Sequence, residues 1–267
     1  MSKNNKVSIV CPKCKNTFSI LQWDSVNFDE DPQLKELILN GEFWNYRCPI
    51  CSLEIEVRSA LLINSPSKKY MVQYESNSLT PENIRKRTVD LTNEWKQSSE
   101  TMFNGLKKMK YKLRYVNKIQ DLIEKIKIFE DELNDIVIEE IKYCMIPEIT
   151  KNLGYIKPIY YSGIVNDQIL ILNFSEDVFS NDIVFKLPVG NMYNIADKLI
   201  DEVIARIGIF AVEYVDYVYS NNIHNLIKRK EVQDDDTVIN KMKYCKQCKK
   251  EVKPNFHNLC PYCDNEI

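Results

Sequence analysis

The chain reads as an α+β protein: a β-rich N-terminal unit, central helices with an antiparallel sheet, and a small cysteine-rich C-terminal unit. Three observations predict this. Strand-like segments with period-two alternation cluster before residue 75 and return between 156 and 187. A strong helical pattern lies between them, with Ile119, Leu122, Ile123, Ile126 and Phe129 at three- and four-residue spacing. Eight of the nine cysteines form four CxxC pairs, two near the start of the chain and two near its end.

In chain order, short strands are expected around 7–10, 17–23, 43–47 and 52–58; the last, SLEIEVR, alternates strictly. Between the second and third, Asp31 can cap a helix, Pro32 can take its first position and Gly41 can end it, which predicts a helix over 32–40. Asn64–Ser67 reads as a turn before a strand at 70–74. Thr80-Pro81 opens a polar stretch over 81–100, read as a surface helix or connector, and 111–116 reads as a strand. A helix begins at Lys118 and a second spans 134–151, where Pro147 kinks it or ends its regular part. Three strands of a meander are expected at 156–161, 168–174 and 182–187, then an amphipathic helix over 193–206 and a strand or short helix over 209–219. Residues 228–241 are charged and aperiodic and read as a linker.

The cysteine pairs are Cys11/Cys14, Cys48/Cys51, Cys245/Cys248 and Cys260/Cys263, with 33 residues between the first two pairs and 11 between the last two. CxxC places two thiolates on one tight turn, and two such knuckles complete a tetrahedron at about 2.3 Å per Zn–S bond. A redox CxxC stands alone before a helix, whereas each pair here has a partner pair. Two structural four-cysteine sites with one Zn²⁺ each are therefore expected, which makes both cysteine-rich units zinc ribbons. A closed shell of four thiolates has no open coordination position and so argues against catalytic zinc. His257, three residues before Cys260, is read as a ribbon-tip residue, and unpaired Cys144 as a buried core thiol.

Several function classes lose support. With six glycines and no GxGxxG or GxxxxGK[ST], the chain lacks the phosphate loops of nucleotide-binding folds. The formal net charge is −2, and eight thiolates around two Zn²⁺ bring it to roughly −6, so charge alone does not draw the whole chain to nucleic acid. No stretch approaches the roughly 18 apolar residues of a membrane span, and the first apolar run is too short for a signal-peptide core. Reduced thiols then point to the cytoplasm. An enzymatic role stays open but unfavoured: His224 is the one histidine outside a ribbon, Asp234–Asp236 on the linker read as solvated acids, and Glu139 and Glu140 point to different helix faces and cannot easily share one ion. Residues 101–118 carry Lys107, Lys108, Lys110, Lys112, Arg114 and Lys118 and no acid, while 119–150 are strongly acidic. The two segments either face and neutralise each other or simply solvate two surfaces, or the first, with Tyr111 and Tyr115 interleaved, is a phosphate-contacting strip.

Cys11-Pro12-Lys13-Cys14 and Cys48-Pro49-Ile50-Cys51 are two Cys-Pro-x-Cys motifs. With Val26–Asp29, Asp31–Lys35, Leu113–Val116 and Leu122–Ile126, they make roughly residues 6–150 resemble the CpXC family of bacterial and archaeal proteins. The resemblance implies a domain and no established activity. It departs at Lys15 and Ser52, which stand where glycine is usual after each knuckle. The domain organisation expected is a CpXC-like domain over 6–150, its α/β extension over 151–227, a charged linker over 228–243 and a zinc ribbon over 244–267. The function expected is recognition: an adaptor that meets another protein, with metal ligands Cys11, Cys14, Cys48, Cys51, Cys245, Cys248, Cys260 and Cys263. The alternative is nucleic-acid binding through Lys107, Lys108, Lys110, Lys112 and Arg114 together with the C-terminal ribbon.

Overall fold

The computed structural model describes residues 2–142 save 78, together with 159–166, 169–173, 183–188, 213–215, 243–245 and 249–252. Strands β1 (Lys3–Val10) and β2 (Thr17–Asn27) form an antiparallel hairpin. Helix α1 (Pro32–Leu39) follows, with Pro32 at its start as expected. Asp31 does not cap it through its side chain; that carboxylate accepts from Gln33 Nε2 at 3.2 Å instead. Gly41 at φ 75° ends the helix, and the amides of Gly41 and Glu42 bond back to Ile38 and Leu37 at 3.1 and 2.9 Å. A second, short hairpin pairs β3 (Asn45–Arg47) with β4 (Glu54–Glu56).

Strands β5 (Leu61–Ser65) and β6 (Tyr70–Tyr74), helices α2 (Pro81–Ser98) and α3 (Glu100–Lys108), and strand β7 (Lys112–Val116) complete the main sheet. Its order is β1-β2-β5-β6-β7, with β2/β5 and β6/β7 parallel and the other two pairings antiparallel. The sequence marks 64–67 as turn; β5 instead runs through Ser65, because Leu61, Ile63 and Ser65 are inward-facing at period two. Helix α3 is absent from the sequence expectation. Its signal was Ser99, whose extended backbone ends α2 and whose hydroxyl accepts from the Met102 amide at 3.2 Å.

Strands β6 and β7 are covered on both faces. Met71, Leu113 and Tyr115 pack with Ile84, Leu91, Phe103 and Leu106 of α2 and α3. Tyr70, Val72, Tyr74 and Val116 pack on the other side with α1 and with α4 (Ile119–Glu130). Residues 135–142 are helical (α5). Strand β8 (Tyr160–Val165) lies against α4, and Ile159 and Tyr161 join the same core, as does Val215. With β9 (Ile169–Asn173) and β10 (Ile183–Pro188) it forms the expected antiparallel meander, in the order β10-β9-β8. A last hairpin pairs β11 (Lys243–Cys245) with β12 (Lys250–Val252). The expected helix over 193–206 and linker over 228–241 lie outside the described residues, as do most of 209–219; within that last stretch Glu213 bridges to Arg114 of β7. Among the described residues no helix is long and apolar enough to cross a membrane.

Candidate metal centre

The first knuckle is the turn between β1 and β2, and the second is the turn between β3 and β4. Both have the same backbone closure. The Cys11 amide bonds the Asn16 carbonyl at 2.8 Å, and the Lys15 amide the Cys11 carbonyl at 3.0 Å. At the second knuckle, the Cys48 amide bonds Leu53 at 2.9 Å and the Ser52 amide bonds Cys48 at 3.0 Å. The closure needs a left-handed residue, and Lys15 (φ 60°) and Ser52 (φ 56°) supply it. Glycine would take this conformation without steric cost. The departure noted in the sequence therefore falls on the strained position of each knuckle.

Trp44 brings the second knuckle to the first. Its side chain, 2% exposed, sits in the core against Tyr74 (5.5 Å between ring centroids) and Phe43 (4.9 Å). Its carbonyl accepts from Val57 at 2.9 Å, closing the base of the β3–β4 hairpin. The four sulfurs of Cys11, Cys14, Cys48 and Cys51 then lie within 4.8 Å of one another. Cys11–Cys51 and Cys14–Cys48 are each 3.6 Å apart, and none of the four is in a disulfide. A tetrahedron with Zn–S bonds of about 2.3 Å has an edge of about 3.8 Å, so the observed spacing is that of a tetrathiolate shell rather than of disulfides at about 2 Å. This group can hold one metal ion, with Cys11 and Cys48 buried and Cys14 and Cys51 half-buried.

The backbone prepares the charge. Amides of Cys14 and Lys13 pull the Cys11 thiol down to about 6, and amides of Cys51 and Ile50 lower Cys48. At Cys14 the Asn16 amide works the same way, but burial and the neighbouring sulfurs Cys48, Cys11 and Cys51 outweigh it and push the thiol up to about 12. The first cysteine of each knuckle is thus the one whose thiol the backbone lowers. The crowding that opposes further ionisation is what a dication relieves.

The model of the CpXC protein family matches residues 9–142, which span both knuckles and run to the end of α5 as described. The chain belongs to the CpXC family. No curated protein and no solved structure matches it. The CpXC match takes in Cys11, Cys14, Cys48 and Cys51, and the geometry makes one site of them. Of the expected C-terminal ligands, Cys245 ends β11, whose backbone alone is described, and Cys248, Cys260 and Cys263 lie outside the described residues, as do Cys144, His224 and His257.

The basic segment divides. Lys107, Lys108 and Lys110 are exposed at the end of α3 and in the turn after it. Lys112 turns inward, donating to the Leu133 carbonyl at 3.2 Å over the Phe129 ring. Arg114 is buried and makes a bidentate pair with Asp135 (2.8 and 2.9 Å) and a further bond to Glu213 (2.8 Å). Here the basic segment does face the acidic one.

Around that pair lies a buried ion network that sequence reasoning missed. Lys125 of α4 reaches Glu139 at 3.1 Å and Asp135 at 3.4 Å. Lys142 of α5 bonds Glu124 at 2.9 and 3.0 Å and Glu139 at 2.9 Å, and Glu124 also accepts the Tyr161 amide of β8 at 2.6 Å. Burial, with Glu139 alongside, pushes Glu124 up to about 7 against the pull of Lys142. Burial acts on Asp135 in the same sense, yet Arg114 and Lys125 outweigh it and hold Asp135 well below the usual carboxylate range. One signal was present: Glu124, Lys125, Glu139 and Lys142 stand at positions whose apolar neighbours Ile123, Ile126 and Ile138 are fully buried.

Proposed function

We propose that the chain is a recognition protein whose Cys11/Cys14/Cys48/Cys51 centre holds a structural Zn²⁺, with a second Zn²⁺ on Cys245, Cys248, Cys260 and Cys263, and that it works as an adaptor for another protein in the cytoplasm. The observation that carries this reading is the closed sulfur shell. Four thiols lie within 4.8 Å of one another, two pairs of them at 3.6 Å, so a metal bound by all four in a tetrahedron would have no corner left for water or substrate. Such a metal organises two hairpins and performs no chemistry of its own. The nucleic-acid alternative has less support, because Lys112 and Arg114 face inward and leave Lys107, Lys108 and Lys110 as its surface.

Native mass spectrometry with elemental analysis on reduced, full-length protein tests the metal. Two zinc ions per chain are expected, falling to one in Cys48→Ser and separately to one in Cys260→Ser. Pull-down with and without residues 228–267 tests the adaptor role. Partner capture is expected to fail without the C-terminal ribbon, and a truncated chain that recovers every partner contradicts it. Binding of oligonucleotides that weakens steeply with salt would favour the alternative.

A further inference from the structure

Strand β2 is eleven residues long, but its two edges are not equally used. One edge pairs with β1 from Thr17 to Ser25, whereas the other pairs with β5 only from Ser25 to Asn27. From 17 to 24 that second edge has no strand partner among the described residues. In an antiparallel pair each residue turns both of its backbone groups toward its partner or both away. The Leu21 carbonyl accepts the Tyr46 hydroxyl at 2.8 Å from the side of the second hairpin, so it faces away from β1. By the period of two, Ser19 and Trp23 present their amides and carbonyls to the same open edge.

A cavity of about 650 Å³ lies beside this edge. Leu21 and Trp23 line one wall, Leu37 of α1 another, and Phe43 and Tyr46 the side toward the metal hairpin, with Glu42 among the lining residues. Leu21 is 51% and Leu37 37% exposed. The charge here is acidic. Arg47 is already paired with Glu54 at 2.7 Å, and among the described residues no cation pairs with Glu42. Apart from the Leu21 carbonyl, which already accepts the Tyr46 hydroxyl and has a second lone pair to offer, this row of main-chain donors and acceptors is best matched by another main chain, and an apolar pocket beside it accepts alternate side chains.

We propose that this groove docks an extended segment of a partner protein. The segment adds a strand to the open edge of β2, seats an apolar side chain between Trp23, Leu37 and Phe43, and sets a lysine or arginine against Glu42. The inference rests on the adaptor reading and places one binding surface on the CpXC domain itself, separate from the C-terminal ribbon.

The test uses full-length, metal-loaded protein and a displayed library of random linear peptides. Enriched peptides are expected to carry apolar residues two apart next to a lysine or arginine. Their affinity, read by fluorescence anisotropy, should drop about tenfold in Leu37→Glu and about threefold in Glu42→Gln. N-methylation of every second peptide amide should cost about tenfold, while methylation of the intervening amides changes little. Unchanged far-ultraviolet circular dichroism and urea midpoint check that Leu37→Glu folds, and the polar Glu42→Gln serves as a second, milder variant. The proposal is overturned if no peptide is enriched, or if binding ignores both the groove variants and the methylation pattern. It is also overturned if the Ser19, Leu21 and Trp23 amides are already protected from exchange in the peptide-free monomer, which makes the chain its own occupant. Conversion of a dimer to monomers by Leu37→Glu would make a second copy the occupant and overturn it too. Partner capture that survives Leu37→Glu yet needs residues 228–267 would sink the groove while leaving the adaptor reading intact.

Discussion

The sulfur centre and the ion network beneath α4 both crowd several ionisable groups within a few ångströms, and they balance the charge by different means. At the first, four thiols meet on two turns, and little apolar packing surrounds them: most of β1 is exposed, and β3 and β4 are three residues each. At the second, Arg114, Lys125 and Lys142 meet Glu124, Asp135 and Glu139 inside a core that also holds Leu122, Ile126 and Val137. A metal supplies its compensating charge from outside and can hold together hairpins that a core cannot. A network of side chains needs the finished body to bring its members together. It then stays costly to break, because each member is left buried without its counter-charge.

The sharpest way to separate the two regions is to remove the metal. Structural zinc contributes on the order of 10 kcal/mol to the folding of small isolated zinc domains. Cys48→Ser is expected to lose one metal equivalent together with amide protection in β3, β4 and the 11–17 turn, while β6 and β7 keep theirs. Hydrogen exchange with mass spectrometry reads this directly. Uniform loss of protection across the sheet would show that the metal supports the whole body rather than its hairpins.

The network should respond the other way, with global destabilisation and the metal retained. Arg114→Met leaves Asp135 buried without its bidentate partner and is expected to cost about 3–5 kcal/mol in urea unfolding. Arg114→Met combined with Asp135→Leu should recover most of that loss. A double variant as unstable as the single one would mean that the remaining members, Lys125 and Glu213, depend on Asp135 and Arg114 for their own compensation.

A smaller effect distinguishes members within the network. Glu124 has a folded value of about 7 against an ordinary 4.5, so the folded chain holds this proton more tightly than the unfolded chain does. Between these values stability falls as pH rises, and the loss amounts to at most roughly 3 kcal/mol. Asp135 and Glu139 are held low, and their contribution is lost only as pH drops below the ordinary carboxylate range. Glu124→Gln should therefore flatten the slope between about pH 5 and 7 relative to the parent chain. Unfolding midpoints across that range that change in parallel for the two proteins would count against a raised Glu124.

This contrast also explains what was readable before the structure. The grouping of Cys11, Cys14, Cys48 and Cys51 was legible because CxxC is local and a knuckle needs only a few residues to form. The meander and α4 were legible from their periods. The pairing of β6 with β7 across two intervening helices was not, since no local pattern tells β7 which strand it joins. That the basic and acidic segments face each other was one reading of the sequence, but which residues meet was not legible: Arg114 finds Asp135 and Lys112 the Leu133 carbonyl only once β7 is placed. Tyr46 reads as an ordinary strand residue until the second hairpin is folded against β2 and its hydroxyl meets the Leu21 carbonyl.

The mildest expected effect lies in the knuckles. Lys15 and Ser52 hold left-handed backbone at φ 60° and 56°, where a side chain costs about 1 kcal/mol and glycine costs nothing sterically. Glycine gives part of that back through the greater freedom of the unfolded chain, leaving a net gain of about 0.5 kcal/mol per site. The closures that force this conformation are matched, Lys15 to Cys11 and Ser52 to Cys48 at 3.0 Å each, so the two gains should be similar and, on separate turns, close to additive. Lys15→Gly with Ser52→Gly is then expected to hold its metal about fivefold more tightly in competition with a chelator, the equivalent of about 1 kcal/mol. Because the same substitutions leave the ion network untouched, the urea response of Arg114→Met should be the same in this background. A larger shift there would mean that the metal hairpins and the charged core share one unfolding event.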